Sequence, residues 1–174
     1  MAVKKIISAP DPILKTVSYP VANVGVAEHQ IMDDLRDSMA ASRIPAIGLA
    51  AIQIGIGRRA LIADVAGNTY GGGIVEMFNP EVVQAEGEQT FEEGCLSVPE
   101  YWAEVKRPAK IVVSYIDRLG NTNDLKLSDL CATVVQHEID HLNGTLFIDH
   151  LSRLKKGLAI KKLTKIKKRE AVLL

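Results

Sequence analysis

Gln136-His137-Glu138-Ile139-Asp140-His141-Leu142-Asn143-Gly144 is the stretch on which the reading of this chain turns. Residues four apart share one helical face with Cβ atoms about 5–6 Å apart, so a helix here offers one ion a nitrogen from His137 and another from His141. Glu138 sits one step round, within reach of a water on that ion but angled away from being a third ligand. In an H-E-x-x-H arrangement that carboxylate is the general base. The apolar residues Leu130, Val134, Val135, Ile139 and Leu142 surround the segment on most sides, which predicts a buried helix. Ser128 or Asp129 is its expected side-chain N-cap and Asn143-Gly144 its stop. Two histidines, a glutamate and an aspartate are costly to bury unpaired, and a metal ion with hydrogen-bonded partners removes that cost. The alternative is a solvated helical face that spells the motif by chance.

A catalytic metal site keeps three protein ligands and an open position, whereas four protein ligands close a structural site. The two histidines therefore need a partner. The extended pattern H-E-x-x-H-x-x-G-x-x-H is matched as far as Gly144, but Phe147 stands at the third ligand's position. Glu170, in the basic tail, is the only glutamate downstream. Cys95, within Glu92-Glu93-Gly94-Cys95-Leu96-Ser97-Val98-Pro99-Glu100, is the better candidate: a thiolate from a neighbouring strand or loop, with Gly94 permitting a close approach and Leu96 offering a backbone N–H. Cys131 is the rival. It lies six residues before His137 on the same helix, on a different face, which favours a place in the core.

Further out, Ile44 to Gly55 is small and apolar around one amide, Gln53. Small residues such as Gly48 let a ligand or backbone come close. Gln53 reads either as a surface amide in a loop or as a donor aimed at a ligand oxygen. Thr133 and Val134 lie four and three residues before His137 and share its face, so they should border the site. Ile47, Leu96 and Leu130 are apolar candidates for enclosing a substrate side chain, with plain core as the competing reading.

The chain has 174 residues, 47% of them hydrophobic, which suits one domain with a proper core and excludes a disordered class. We expect a single catalytic domain over 1–174. The N-terminal apolar run is too short for a signal peptide and no window approaches the ~20 apolar residues of a membrane span, which reads as a cytoplasmic protein without a membrane partner. Two cysteines make no disulfide framework. The zero net charge hides an asymmetry: nine of the 21 basic residues follow Ser152, against one acidic residue there. An acidic body thus carries a basic tail.

In chain order, Pro10, Pro12 and Pro20 mark an irregular, surface-wrapping segment. Ile31, Met32, Leu35 and Met39 predict an amphipathic helix from about Ala27 to Ala41. Strand-like runs follow at Ala60 to Val65, Ile74 to Phe78, Val82 to Ala85, Ile111 to Ile116 and Leu125 to Leu127, divided by Gly71-Gly72-Gly73, Asn79-Pro80 and Leu119-Gly120-Asn121. Strands bunched in this way predict an α+β fold, with antiparallel sheets packed around the central metal-binding helix. The tail reads as a basic C-terminal helix at about 152–170, capped by Ser152, with Leu154, Leu158, Leu163 and Ile166 on one side.

Gly48-Leu49-Ala50-Ala51-x-Gln53, Glu93-Gly94-Cys95-Leu96-Ser97 and Gln136-His137-Glu138-x-Asp140-His141-x-x-Gly144, in this order and at these separations, resemble the three signature motifs of peptide deformylase. The likeness extends over essentially the whole chain. It implies hydrolysis of the N-formyl group from nascent polypeptides that begin with formyl-methionine, releasing formate. Cys95, His137 and His141 match the family's metal ligands, Glu138 its general base, and Gln53 with the Leu96 N–H its oxyanion donors. The usual metal is Fe2+, with Zn2+, Ni2+ or Co2+ able to occupy the same site. Arg107 and Asp140 are also family-like, read here as an ion pair supporting the ligand helix, and Glu93 as orienting a ligand imidazole. Two positions depart from the pattern: Ala46 replaces a common glycine, and His150, read as a surface or helix-start residue, replaces a frequent tyrosine. The basic tail resembles the C-terminal helix with which bacterial deformylases dock on the ribosome; no DNA partner is implied. A metalloprotease and a non-catalytic metal-binding module are the rival readings.

Overall fold

The computed structural model describes residues 3–68 and 72–172. In chain order the strands are β1 (Gly48–Ala50), β2 (Ala60–Asp64), β3 (Ile74–Glu86), β4 (Gln89–Cys95), β5 (Val98–Arg107), β6 (Lys110–Ile116) and β7 (Thr122–Ser128). The helices are α1 (Val26–Ala40), α2 (Asp129–Leu142) and α3 (Arg153–Val172). Five strands pair antiparallel in the order β1-β2-β3-β6-β7, while β4 and β5 form a separate antiparallel hairpin. The chain is α+β, as its bunched strand signals predict.

Strand β2 shows how the layers stack. Leu61 and Ala63 enter the core cluster of Ala132, Val135, Ile139 and Leu142 on α2. Ala60 and Ile62 enter the cluster of Met32 and Leu35 on α1. Successive side chains of a strand point to opposite faces, so a strand covered by a helix on each side must be apolar throughout. That is why residues 60–65 read as an unbroken hydrophobic run. A third cluster, with Val98, Val105, Phe147, Ala159 and Leu163, packs the β4–β5 hairpin against α3 and the 3-10 turn Phe147–His150.

The N-terminal segment straps the hairpin to the sheet. The Ile7 N–H donates to the Gln53 carbonyl and the Ala9 N–H to the Ser97 carbonyl, both at 2.8 Å. Helix α2 follows β7 directly and stops where Gly144 takes φ +70°; a Cβ there would meet the Lys15 carbonyl oxygen at 2.6 Å. That position needs glycine both for its left-handed backbone and for the close approach.

Several expectations are revised. Ser128 takes the N-cap position of α2 in an extended conformation, without a side-chain capping hydrogen bond. Asn79-Pro80 does not end a strand. β3 runs through it with a register shift between Phe78 and Glu81, and Asn79, at φ +49°, clamps both backbone groups of Val21 with its amide. A proline lacking its ladder N–H is tolerated at such a bulge. On α3 the buried stripe is Ala159, Leu163 and Ile166, whereas Leu154 and Leu158 are 75% and 55% exposed. Ser152 does cap α3, accepting from the Lys155 N–H at 3.4 Å. Gly71 of the expected glycine turn, and Leu173 and Leu174 at the end of the tail, lie outside the described residues.

Candidate metal centre

Helix α2 presents His137 and His141 one turn apart, with ring centroids 5.0 Å from each other. The end of β4 brings Cys95 across from them. One ligand atom from each of Cys95, His137 and His141 lies within 4.8 Å of the others, and Cys95 Sγ is 3.2 Å from His141 Nε2. One sulfur and two imidazole nitrogens converging, with no fourth such group among the described residues, match the open arrangement of a catalytic site rather than a closed structural one. Cys131 is elsewhere, packed among apolar side chains, where burial raises its thiol pKa and keeps it inert.

The β4–β5 hairpin also supplies what orients His137. Its Nδ1 is 2.8 Å from Glu93 Oε2, and a carboxylate accepts only, so Nδ1 carries the proton and Nε2 is left for an ion. Arg107 on β5 forks onto Glu93, donating from Nε to Oε1 at 2.6 Å and from Nη2 to Oε2 at 3.1 Å, and reaches Asp140 Oδ2 with Nη1 at 2.8 Å. Burial works against the charge on Glu93, yet the hydrogen bonds from His137 and Arg107 hold its pKa below the usual carboxylate value. The expected Arg107–Asp140 pair is thus present, with Glu93 as a second acceptor.

Protonation divides the two rings. Burial disfavours charge on His137, but hydrogen bonds with Cys95 and Glu93 carry its pKa well above the ordinary imidazole value. Burial and the neighbouring His137 push that of His141 well below. Loading an ion onto this set has to displace protons.

Glu138 lies beside the ligand set and is buried, and its Oε2 meets no hydrogen-bond partner among the described residues. Burial pushes its pKa up to about 7, against a smaller lowering influence from His137 and Arg107. A buried, unpartnered carboxyl poised near neutrality is the state expected of a general base. Together with the donor set it fits a site built around an ion and its water.

A cavity of about 400 Å³ opens over this floor. All six residues expected to contact substrate, Ile47, Gly48, Gly94, Leu130, Thr133 and Val134, line it, as do Gln53 and Leu96. Ile47 and Leu130 are 45% and 48% exposed, which removes the plain-core reading for both and puts them at the mouth. Gln53 is buried rather than a surface amide. Its Oε1 accepts from the Ala50 N–H at 2.8 Å, while Nε2 is directed at Ser97 Oγ (3.1 Å) and Cys95 Sγ (3.6 Å). Leu96 takes the first position of the two-residue turn joining β4 to β5, where its N–H stands outside the ladder beside Cys95.

Sequence reasoning missed Ser97, which is fully buried and holds the Gln53 amide, and the aromatic part of the cavity wall from Phe91, Tyr101 and Trp102. It also left His150 without a partner, although its Nε2 lies 2.7 Å from Asp140 Oδ2. For Phe91 the usable signal was the alternation along Thr90 to Glu93, which sends Phe91 and Glu93 to one face.

A family profile described as Polypeptide deformylase matches residues 3–157. A peptide deformylase of Mesorhizobium japonicum is 46% identical over 172 residues, 98% of this chain and 97% of that protein. The crystal structure of a peptide deformylase from Ehrlichia chaffeensis superposes with a TM-score of 0.90 at 34% identity, covering 98% of this chain and 99% of that one. A structure of peptide deformylase from Ehrlichia chaffeensis in complex with actinonin gives a TM-score of 0.88 at 37% identity over 95% of this chain and 98% of that one. With the profile spanning most of the sequence and the relative matching nearly end to end, the chain belongs to the polypeptide deformylase family.

Proposed function

We propose that this hydrolase performs its family's reaction, the metal-dependent removal of the N-formyl group from nascent peptides beginning with formyl-methionine, through Cys95, His137 and His141 as ligands and Glu138 as base. The carrying observation is the convergence of the three ligand atoms, with Cys95, His137 and Glu138 lining one cavity. When bound, the ion supplies Lewis acidity that brings a water within reach of deprotonation near neutral pH.

The chain's own groups do the rest. Glu138 takes the proton of the attacking water, a transfer for which its raised pKa suits it. As the formyl carbon becomes tetrahedral its oxygen gains negative charge. The Gln53 amide and the Leu96 N–H donate to that oxygen, and loss of one such donor costs about 10²–10³ in rate. The proton held by Glu138 then passes to the departing amine as the C–N bond breaks, leaving formate and a free methionine N-terminus. Val134, Thr133 and Leu130 along α2, with Ile47 opposite, enclose the methionine side chain.

We propose Fe2+ as the resident ion, as the family resemblance implies, with Zn2+, Ni2+ or Co2+ as substitutes, since the thiolate and imidazole set by itself suits iron and zinc alike. Metal analysis of anaerobically purified protein tests the assignment. The decisive functional assay compares formyl-Met-Ala-Ser with a peptide lacking the formyl group. Formate release from the first and no cleavage of the second is expected; cleavage of an internal bond would make the protein a protease instead.

We further propose that the protein works in the cytoplasm and that α3 docks on the ribosome. Supporting the second reading, Arg153, Lys155, Lys161, Lys165 and Lys168 are exposed, while Leu163 and Ile166 anchor the helix. Contacts from Lys and Arg to phosphates make such binding salt-sensitive. Replacing the exposed Lys161, Lys165 and Lys168 by alanine should weaken ribosome binding and spare activity on small formyl-peptides, and unchanged binding removes the idea.

A further inference from the structure

His150 closes the 3-10 turn Phe147–His150, and its side chain is 38% exposed. Its Nε2 is 2.7 Å from Asp140 Oδ2, the same oxygen that accepts from Arg107 Nη1 at 2.8 Å. Arg107 is bound to Glu93, and Glu93 to His137 Nδ1. An unbroken line of hydrogen bonds therefore runs from the protein surface to a metal-ligating ring. We infer that His150 is a positioning residue for the metal centre, fixing Asp140 so that Arg107 and Glu93 hold His137 in one tautomer and one plane.

The argument rests on how each member is constrained. Glu93 and Arg107 are buried, but the Asp140 carboxylate is 21% exposed, so one bond to Arg107 alone leaves it free to turn toward solvent. A second donor on the same oxygen fixes it. The turn that carries His150 is itself held, because Asp149 accepts from the Leu146 N–H at 2.7 Å and from Lys156 Nζ at 2.7 Å and also bonds Lys15. Since a carboxylate only accepts, His150 serves with its Nε2–H donating, whether the ring is neutral or charged. With Asp140 released, the Nη1 arm of Arg107 loses its aligned acceptor and the fork on Glu93 loosens. Direct outer partners of metal ligands are worth about 10–100-fold in metal affinity. His150 acts through three intermediates, so its share is smaller, about three- to tenfold.

This inference rests on the metal centre proposed above, and its test separates the two. Protein loaded with Co2+ is mixed with excess EDTA, and release is followed by the loss of thiolate-to-metal absorption in wild type, His150→Ala, His150→Gln and His137→Ala; melting temperatures of the metal-free forms are measured alongside. His150→Ala should release Co2+ about three- to tenfold faster with an unchanged metal-free melting temperature. His150→Gln, which keeps a donor, should restore the wild-type rate. An Ala variant that releases at the wild-type rate overturns the inference, as does faster release that follows a fall in metal-free melting temperature and is not rescued by Gln. Wild type that takes up no Co2+, or His137→Ala that holds it equally well, instead overturns the metal centre itself.

Discussion

Gly48 lies against the carboxyl of Glu138: a Cβ built on it would fall 2.6 Å from Oε1 and 2.9 Å from Cγ. The absent side chain is what lets β1 run past the Glu138 carboxyl. The clash reaches Cγ as well as the carboxylate tip of a buried side chain, so Gly48→Ala should fold with the whole Glu138 side chain displaced, at about the 1–3 kcal/mol of an overpacked site. Displacing a catalytic group by about 1 Å costs roughly 10²-fold. We expect metal content close to wild type, a moderately lower melting temperature and kcat on formyl-Met-Ala-Ser lower by about that factor; full activity would show that the proposed base is not held by this contact.

Glu138→Gln preserves the shape and removes the proposed base. The ion should stay, and kcat should fall by about 10²–10⁴. A stability effect of the opposite sign accompanies it in the metal-free protein. Burial raises the Glu138 pKa from 4.5 to about 7, so its contribution to folding is fully present below pH 4.5 and is lost as the pH rises through about 7. Glutamine never ionises. Urea unfolding of the metal-free forms should therefore show the variant gaining on wild type between those two pH values, and parallel curves would contradict the buried, unpartnered state of the carboxyl.

Arg107→Ala strips the shared cation from Glu93 and Asp140. Removing one partner of a buried ion pair costs about 3–5 kcal/mol because the other charge is left uncompensated. Here Glu93 also loses the group that, with His137, keeps it ionised. We expect a large drop in unfolding free energy together with a metal affinity weaker by about 10–100-fold, measured by chelator competition. Unchanged values for both would show that Arg107 supports neither the fold nor His137.

How much of this was legible follows from which face each residue type occupies. The ligand helix announced itself because His137 and His141 repeat at helical spacing inside an apolar surround, and β2 because Leu61, Ala63, Ala60 and Ile62 meet a helix on each side. The β4–β5 hairpin stayed hidden for a physical reason: Tyr101, Ala103 and Val105 alternate inward on β5, but the inward positions Glu93, Cys95 and Arg107 belong to the site rather than to a core, so the apolar alternation that marks a strand is interrupted. Burial of Glu93 and Arg107 is repaid by each other and by His137, which no one-dimensional pattern displays. The tail misled in the opposite sense: at about 3.6 residues per turn Leu154 and Leu158 stand roughly 180° and 140° round the helix from Leu163, away from the stripe of Ala159, Leu163 and Ile166 that packs on the hairpin side.

Asp149 joins three parts of the chain, and pH should reveal how. It accepts from the Leu146 N–H and from Lys156 at 2.7 Å each and pairs with Lys15 near the N-terminus. Partial burial favours its neutral form, yet the bonds from Lys15, Lys156 and Leu146 hold its pKa below the ordinary 3.8. A depressed carboxylate contributes stability that is present above its unfolded pKa and disappears as the pH falls through the folded one. Asp149→Asn should therefore unfold at lower urea than wild type at pH 7, by no more than about 1 kcal/mol because solvent screens a partly exposed pair. That gap should narrow below pH 3.8 and close once wild-type Asp149 is protonated. A gap that persists unchanged into acid would mean that the loss comes from the altered Leu146 contact, and that the two lysines add no electrostatic stability.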